Sequence, residues 1–437
     1  MIECLFPSYE GLEPPDWLRR LVAEGVGGVV LFSSNLRDRE QLAELTEALR
    51  SENDKLLIAL DEEGGDVTRI DVATGSSYPG NGALGAVDDV SLTERVAASI
   101  GAELAAAGVN LDFAPVADVN VNPENPVIGA RSFGSDPELV ARHVAAFVRG
   151  LQEQGVAGCA KHFPGHGATD RDSHVELPTL AGDVADGMPP FRAAIEAGVQ
   201  SIMTAHIRVP QLGDDPATVN PRALTILRDD LGYDGLVIAD ALEMRGLADT
   251  IGIEEGGVRA LSAGVDALIV GRDLGADAVA RVREAIARVP EDRLAEAAER
   301  VRRVAAWADA RGGKPDLDAG IEAARRALVV EGDVELHGPA EIRELRPEAN
   351  FAAGRARHAL TYVIPSVSGG ELVLVVRDAH RYPWMREQVE ANPGAIVVEV
   401  GLPYWRPPVA RGYIATYGGS RASYEAVAER LQARVPA

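Results

Sequence analysis

At 437 residues, 46% hydrophobic and 25% charged, the chain has the composition of an ordinary globular protein, long enough for one large barrel plus a smaller module. A formal net charge of −24 argues against nucleic acid or an anionic membrane as partner. No run of about 18 apolar residues suggests a transmembrane helix, and Met1-Ile-Glu-Cys-Leu-Phe-Pro7 lacks the basic and apolar regions of a secretory signal.

Both cysteines, Cys4 and Cys159, sit in apolar strand-like segments, so a reduced, cytoplasmic protein with two buried thiols is expected. Short apolar runs alternate with helical patterns through the first part of the chain. They predict strands at Cys4–Phe6, Gly27–Phe32, Leu56–Leu60, Val109–Pro115, Val156–Ala160, Gln200–Ala205, Gly235–Ala239 and Val265–Val270. Helices are predicted between them at Asp38–Arg50, Asp136–Gln154, Pro190–Ala197, Pro221–Asp229 and Gly256–Ala263. Eight strands alternating with helices predict a (β/α)8 TIM-type barrel.

Ala276–Ala327 reads as helical, broken at Gly312-Gly-Lys-Pro315. Beyond it, apolar runs at Glu371–Val376, Ala395–Val400 and Gly412–Thr416 alternate with helical Tyr382–Ala391 and Ser420–Arg434, which predicts a smaller C-terminal α/β domain. Residues 331–437 carry a net charge of about −1, leaving about −23 on the rest. The expected division is a catalytic barrel over 1–310, a linker helix over 311–330 and the second domain over 331–437. That domain could shape a leaving-group site, cap the barrel or mediate a homodimer. Trp384, Tyr404 and Trp405 read either as a flat platform for a ligand ring or as buried aromatics.

Chemistry concentrates at the predicted strand ends. Asp61 ends the third strand, Asp118 lies beyond the fourth, and His206 and Asp240 end the sixth and seventh. The fifth strand ends in Lys161-His-Phe-Pro-Gly-His-Gly-Ala-Thr-Asp-Arg-Asp172-Ser-His174, a loop too rich in costly polar groups for packing alone. Lysine is otherwise confined to Lys55 and Lys314, so a compact ammonium is wanted at position 161. Polar groups gathered at the C-terminal ends of several strands share one face of a barrel, where its active site lies. His162 and His166 have a spacing that suits a metal on a helix, but Pro164 and Gly165 interrupt any helix there. Neither a metal nor another cofactor is expected. Asp240-Ala-Leu-Glu243 also fits a helix capping box, and Asp172 fits an Asx turn. An aspartate two residues from a histidine can fix the imidazole tautomer and leave the other nitrogen for proton transfer.

On these residues the chain resembles glycoside hydrolase family 3, in its β-N-acetylglucosaminidase branch with a histidine acid/base. The matching motifs are Asp61-Glu-Glu-Gly-Gly-Asp-Val-Thr-Arg69, Asn110–Asn120, Arg131-Ser-Phe-Gly134, Lys161–His174, Met203-Thr-Ala-His206 and Asp234–Met244. The resemblance implies Asp240 as nucleophile, His174 as acid/base with Asp172 as its partner, and Asp61, Arg69, Arg131, Lys161 and His162 as sugar-binding residues. It implies a small carbohydrate substrate, an N-acetylglucosaminide from cell-wall or chitin fragments, cleaved with retention through a glycosyl-aspartate. A histidine is neutral after giving up its proton, so an anionic acceptor can approach; a phosphorylase is therefore an alternative, as is a non-catalytic sugar-binding protein. One residue departs from the pattern: where the family often places arginine, this chain has Asp66. That departure alters the acidic balance near the site or marks a subgroup with a different leaving group.

Overall fold

The computed structural model describes residues 1–271, 274–310, 312–347 and 358–432. Eight short strands form its larger sheet: β1 (Leu5–Pro7), β2 (Gly28–Val30), β3 (Leu57–Leu60), β4 (Leu111–Asp112), β5 (Ala157–Phe163), β6 (Ser201–Thr204), β7 (Leu236–Ala239) and β8 (Ala267–Val270). They pair in parallel in the order β1-β8-β7-β6-β5-β4-β3-β2, and a parallel bridge from Ser8 to Val30 joins the two ends. The sheet is therefore a closed (β/α)8 barrel.

Although each strand reads as an unbroken apolar run, its side chains divide by the two-residue period. Leu57, Ala59, Leu236, Ile238, Ala267 and Ile269 pack in one cluster with Phe6 and Val30. Their neighbours Ile58, Leu60, Val237, Ala239, Leu268 and Val270 belong to the layer shared with the helices. Val301 and Val304 of the helix Glu291–Trp307 join the first cluster. A Cβ on Gly27, just before β2, would lie 2.8 Å from the Val301 side chain and 2.0 Å from the Glu3 carbonyl oxygen. That helix therefore covers the N-terminal mouth and leaves the C-terminal mouth for chemistry.

The predicted helices are present within a few residues, several with side-chain caps. Asp38 accepts from the Gln41 N–H, and Asp136 accepts from Glu138 with Pro137 in the first turn. Helices at Asp16–Glu24 and Val90–Ala106 escaped the sequence reading. The second is buried over much of its circumference, so its residues lack the polar stripe that marks a surface helix. The region from 276 to 327 is three helices, Gly275–Ala285, Glu291–Trp307 and Leu317–Ala327.

The smaller sheet contains β9 (Val329–Gly332), β10 (Ala340–Leu345), β11 (Glu371–Val376), β12 (Ile396–Glu399) and β13 (Gly412–Ala415), ordered β10-β11-β12-β13-β9. Only β9 is antiparallel to its neighbour. Val373 and Val375 pack with the helix Arg421–Leu431 on one face, and Leu374 and Val376 with the helix Pro383–Glu390 on the other. The sequence reading found the three central strands and missed β9 and β10. These are edge strands with half-exposed, charged residues, Val-Val-Glu-Gly and Ala-Glu-Ile-Arg-Glu-Leu, and they lack an unbroken apolar run. Trp384 and Tyr404 are exposed, so neither is a buried aromatic, while Trp405 packs against the sheet. Both cysteines are buried free thiols. Among the described residues no helix is long and apolar enough to cross a membrane.

Candidate active site

The C-terminal mouth of the barrel opens into a cavity of about 450 Å3 lined by Asp61, Arg69, Arg131, Lys161, His162, His174 and Asp240. Asp61 directly follows β3 and Asp240 directly follows β7, where a buried strand holds each backbone rigidly. Phe32, Phe113, Met203 and Ile269 supply apolar wall.

Five charges form an alternating chain across one side of this cavity. Arg69 donates to Asp61 Oδ2 at 3.0 Å, and Lys161 Nζ lies 2.7 Å from Asp61 Oδ1 and 2.6 Å from Glu63 Oε1. Arg131 completes it with two bonds to Glu63, at 2.7 and 2.9 Å. Burial acts to raise Asp61, but Lys161 and Arg69 outweigh it and hold the carboxyl well below its usual range. Burial likewise acts against Glu63, yet Arg131 and Lys161 bring it down to about 2. The same pairing keeps the buried Lys161 charged, with its pKa raised although desolvation alone would lower it. Asp61, Glu63 and Lys161 are thus all ionised at neutral pH.

Glu63 was missed by the sequence reading. Its signal was present: in Asp61-Glu62-Glu63 the acids at 61 and 63 both reach Lys161, whereas Glu62 turns away and accepts the backbone N–H groups of Arg69 and Ile70 at 2.8 and 3.1 Å. Burial pushes Glu62 up to about 7. Asp112, at the end of β4, accepts the Glu62 N–H at 2.9 Å and is itself raised by burial.

Lys161 and His162 lie within β5 rather than at its end, because the strand continues to Phe163 with a register shift against β6. His162 Nδ1 is 2.7 Å from Asp118 Oδ2, and Asp118 Oδ1 accepts the His166 backbone N–H at 2.5 Å. Asp118 therefore braces the start of the loop from below. His166 is held through both ring nitrogens, by Thr169 at 2.7 Å and Ser173 at 3.0 Å, and burial pushes it down to about 4, so it is neutral at physiological pH. His206 is likewise tied, to Thr218 at 2.9 Å and to the Ala241 carbonyl at 3.0 Å. Both ring nitrogens of His166 and of His206 are thus engaged within the protein, so neither is placed to convey a proton to a ligand. Among the described residues no group of three or more His, Cys, Asp or Glu converges on a common metal position.

The loop beyond β5 ends in a pair. Asp172 Oδ1 accepts the His174 backbone N–H at 2.9 Å and lies 2.7 Å from its Nδ1, so the Asx turn and the side-chain pair are one structure. The capping-box reading of Asp240 does not hold. Its Oδ1 accepts from the adjacent Ala241 N–H at 2.8 Å, and the next helix begins only at Arg245.

A small cavity with apolar walls, an acid on one strand end and a braced imidazole on a loop is the equipment of a barrel glycoside hydrolase. The comparisons agree. A model described as the glycosyl hydrolase family 3 N terminal domain matches residues 16–304, and the chain belongs to that family. It is 37% identical over 281 residues to a protein named Beta-hexosaminidase A from Pseudoalteromonas piscicida, covering 58% of this chain but only 47% of that relative. It is 40% identical over 249 residues to a Beta-hexosaminidase of Vibrio cholerae serotype O1, covering 56% of this chain and 75% of the other. A solved structure of a family 3 β-N-acetylglucosaminidase from Paenibacillus sp. superposes with a TM-score of 0.88 at 29% identity, over 100% of this chain and 96% of that one.

Proposed function

We propose that the protein is a retaining exo-β-N-acetylglucosaminidase. The observation that carries this reading is the placement of Asp240 and His174 on one cavity, with His174 braced through Nδ1 by Asp172. In this mechanism Asp240 attacks the anomeric carbon while His174, through Nε2, gives its proton to the departing oxygen. The glycosyl–oxygen bond breaks, a glycosyl-aspartate forms and the leaving group departs as an alcohol. Neutral His174 then takes a proton from water, whose oxygen displaces Asp240. The Asp172 carboxylate, bonded to Nδ1, fixes the ring's tautomer and turns Nε2 toward the substrate.

Asp61, Arg69, Arg131, Lys161 and His162 hold the terminal sugar. Fixed carboxylates next to fixed cations suit neighbouring hydroxyls, each of which both donates and accepts. The apolar wall receives the faces of the ring and the acetamido methyl group. A cavity of about 450 Å3 admits a terminal sugar rather than a polymer passing through, which supports exo action. The names borne by the relatives support the N-acetyl preference, and cell-wall or chitin-derived fragments handled in the cytoplasm are the substrates this reading assigns.

The test is release of nitrophenol from p-nitrophenyl N-acetyl-β-glucosaminide compared with the corresponding glucoside. Preference for the N-acetyl sugar, abolished in Asp240→Ala, is the expected result. Release from neither substrate overturns the reading.

A further inference from the structure

Asp66 sits at the tip of a tight turn in the sugar-facing loop that follows β3. The Glu63 N–H donates to the Val67 carbonyl at 3.1 Å and the Val67 N–H to the Gly64 carbonyl at 3.3 Å. Gly64 and Gly65 take φ of +76° and +63°, conformations that favour glycine. A Cβ on Gly65 would come within 2.9 Å of the Gly80 Cα, so the turn is packed against its support with little room to move. Glu63, three residues before Asp66, holds Lys161 and Arg131; Arg69, three residues after, holds Asp61. Whatever grips the tip therefore acts on both arms of the ionic chain.

What grips it comes from the second domain. Arg377, the residue after β11, donates one bond to each Asp66 oxygen, both at 2.7 Å, and the Gly419 N–H adds a third at 3.2 Å. A forked pair of this kind fixes direction as well as distance. Gly419 is needed for closure. A Cβ there would stand 2.5 Å from an Arg377 guanidinium nitrogen and 3.2 Å from Asp66 Oδ1. Arg377 and Asp66 line a second cavity, of about 340 Å3, between the barrel mouth and the smaller sheet. Val67, Ile128 and Arg131 line both cavities, so the two are neighbours.

We infer that Asp66 and Arg377 are positioning residues through which the second domain sets the geometry of the sugar-binding loop. The inference rests on the assignment of Asp61 and Arg69 to the sugar. The second domain is then a working part of the sugar site, even though Asp66 and Arg377 touch no reacting atom. An ionic chain displaced by a fraction of an ångström loses ground-state sugar binding before it loses the chemistry, since Asp240 and His174 stand on other elements.

The experiment compares Asp66→Asn, Arg377→Gln and the double variant on p-nitrophenyl N-acetyl-β-glucosaminide, with Asp61→Asn as reference. Each single variant is expected to raise KM about tenfold with kcat within about twofold, and the double variant to be no worse than either single one. Gly419→Ala, which retains every charge, is expected to raise KM in the same direction. Unchanged KM in the latch variants, additive losses, or equal losses in KM and kcat overturn the inference. A KM that responds to Asp61→Asn but not to the latch overturns this inference alone. A KM indifferent to Asp61→Asn overturns the sugar assignment and the inference with it.

Discussion

One oxygen of Asp172 holds His174 at two points, the backbone N–H at 2.9 Å and the ring Nδ1 at 2.7 Å. Burial acts to raise the Asp172 carboxyl, but its bonds to His174 outweigh that and keep it below the usual range. The imidazole therefore faces an anion and cannot rotate without breaking its Nδ1 bond to Asp172. Asp172→Asn keeps the turn and removes the charge. It is expected to lower kcat/KM by about 10²-fold for saccharide leaving groups and by less for nitrophenol, which departs with little protonation. A series of N-acetyl-β-glucosaminides with leaving groups of graded acidity checks this. Equal losses across the series would leave the pair a structural part only.

Lys161 is 1% exposed and stands between two carboxylates. Lys161→Met would leave Asp61 and Glu63 buried beside each other with Arg69 and Arg131 on the outside. Removing one partner from such a group costs about 3–5 kcal/mol, so a large drop in Tm is expected alongside lost activity. Lys161→Arg is expected to restore little, because a flat guanidinium cannot take the place of an ammonium 2.7 and 2.6 Å from two acids. Thermal melts of the two variants, run beside sugar binding, check the order.

The acids around the loop predict opposite pH arms. Glu63, brought down to about 2, contributes stability that is present above its ordinary value of 4.5 and is lost as pH falls from there towards 2. Glu62, pushed up to about 7, does the reverse: its contribution is complete below 4.5 and is lost as pH rises through 7. Glu62→Gln keeps an oxygen for the Arg69 and Ile70 N–H groups and cannot ionise. The wild type is expected to lose stability relative to this variant between about pH 5 and 8, by on the order of 3 kcal/mol. Chemical denaturation at several pH values measures it; parallel curves for the two proteins would place the Glu62 carboxyl in the ionised form throughout.

The barrel was legible because each strand carries an apolar run too short for a helix and because polar residues punctuate the runs near their C-terminal ends. Asp61 and Asp240 stand where that pattern places them. Glu63 and Arg377 were harder to read for different reasons. Glu63 is the last of three consecutive acidic residues, and only the two-residue alternation separates it from Glu62. Arg377 lies 311 residues from Asp66, and no local periodicity links residues across two domains. Composition singled out Lys161, since the chain's scarce lysine is used there; nothing in composition distinguishes Arg377 from the chain's many other arginines. The edge strands β9 and β10 were lost because half-exposed edges carry charge by necessity.

In the proposed mechanism, charge argues for water over phosphate as the acceptor of the second step. A phosphate dianion needs a cation that is not already committed. Arg69 and Lys161 are engaged by Asp61, Lys161 and Arg131 by Glu63, and Arg245 by Asp249 at 2.8 Å. Every described arginine and lysine lining the sugar cavity thus has a carboxylate partner. Neutral His174 would admit an anion, but Asp172 behind it and Asp61 and Glu63 across the cavity would oppose one. Water carries no such penalty. In phosphate buffer the product is therefore expected to be the free sugar, appearing first as the β-anomer because Asp240 is displaced from the face opposite its own attack. Proton NMR of the first turnovers distinguishes the outcomes: β-anomer of the free sugar supports hydrolysis with retention, the α-anomer overturns Asp240 as a nucleophile, and a sugar 1-phosphate as main product overturns water as the acceptor.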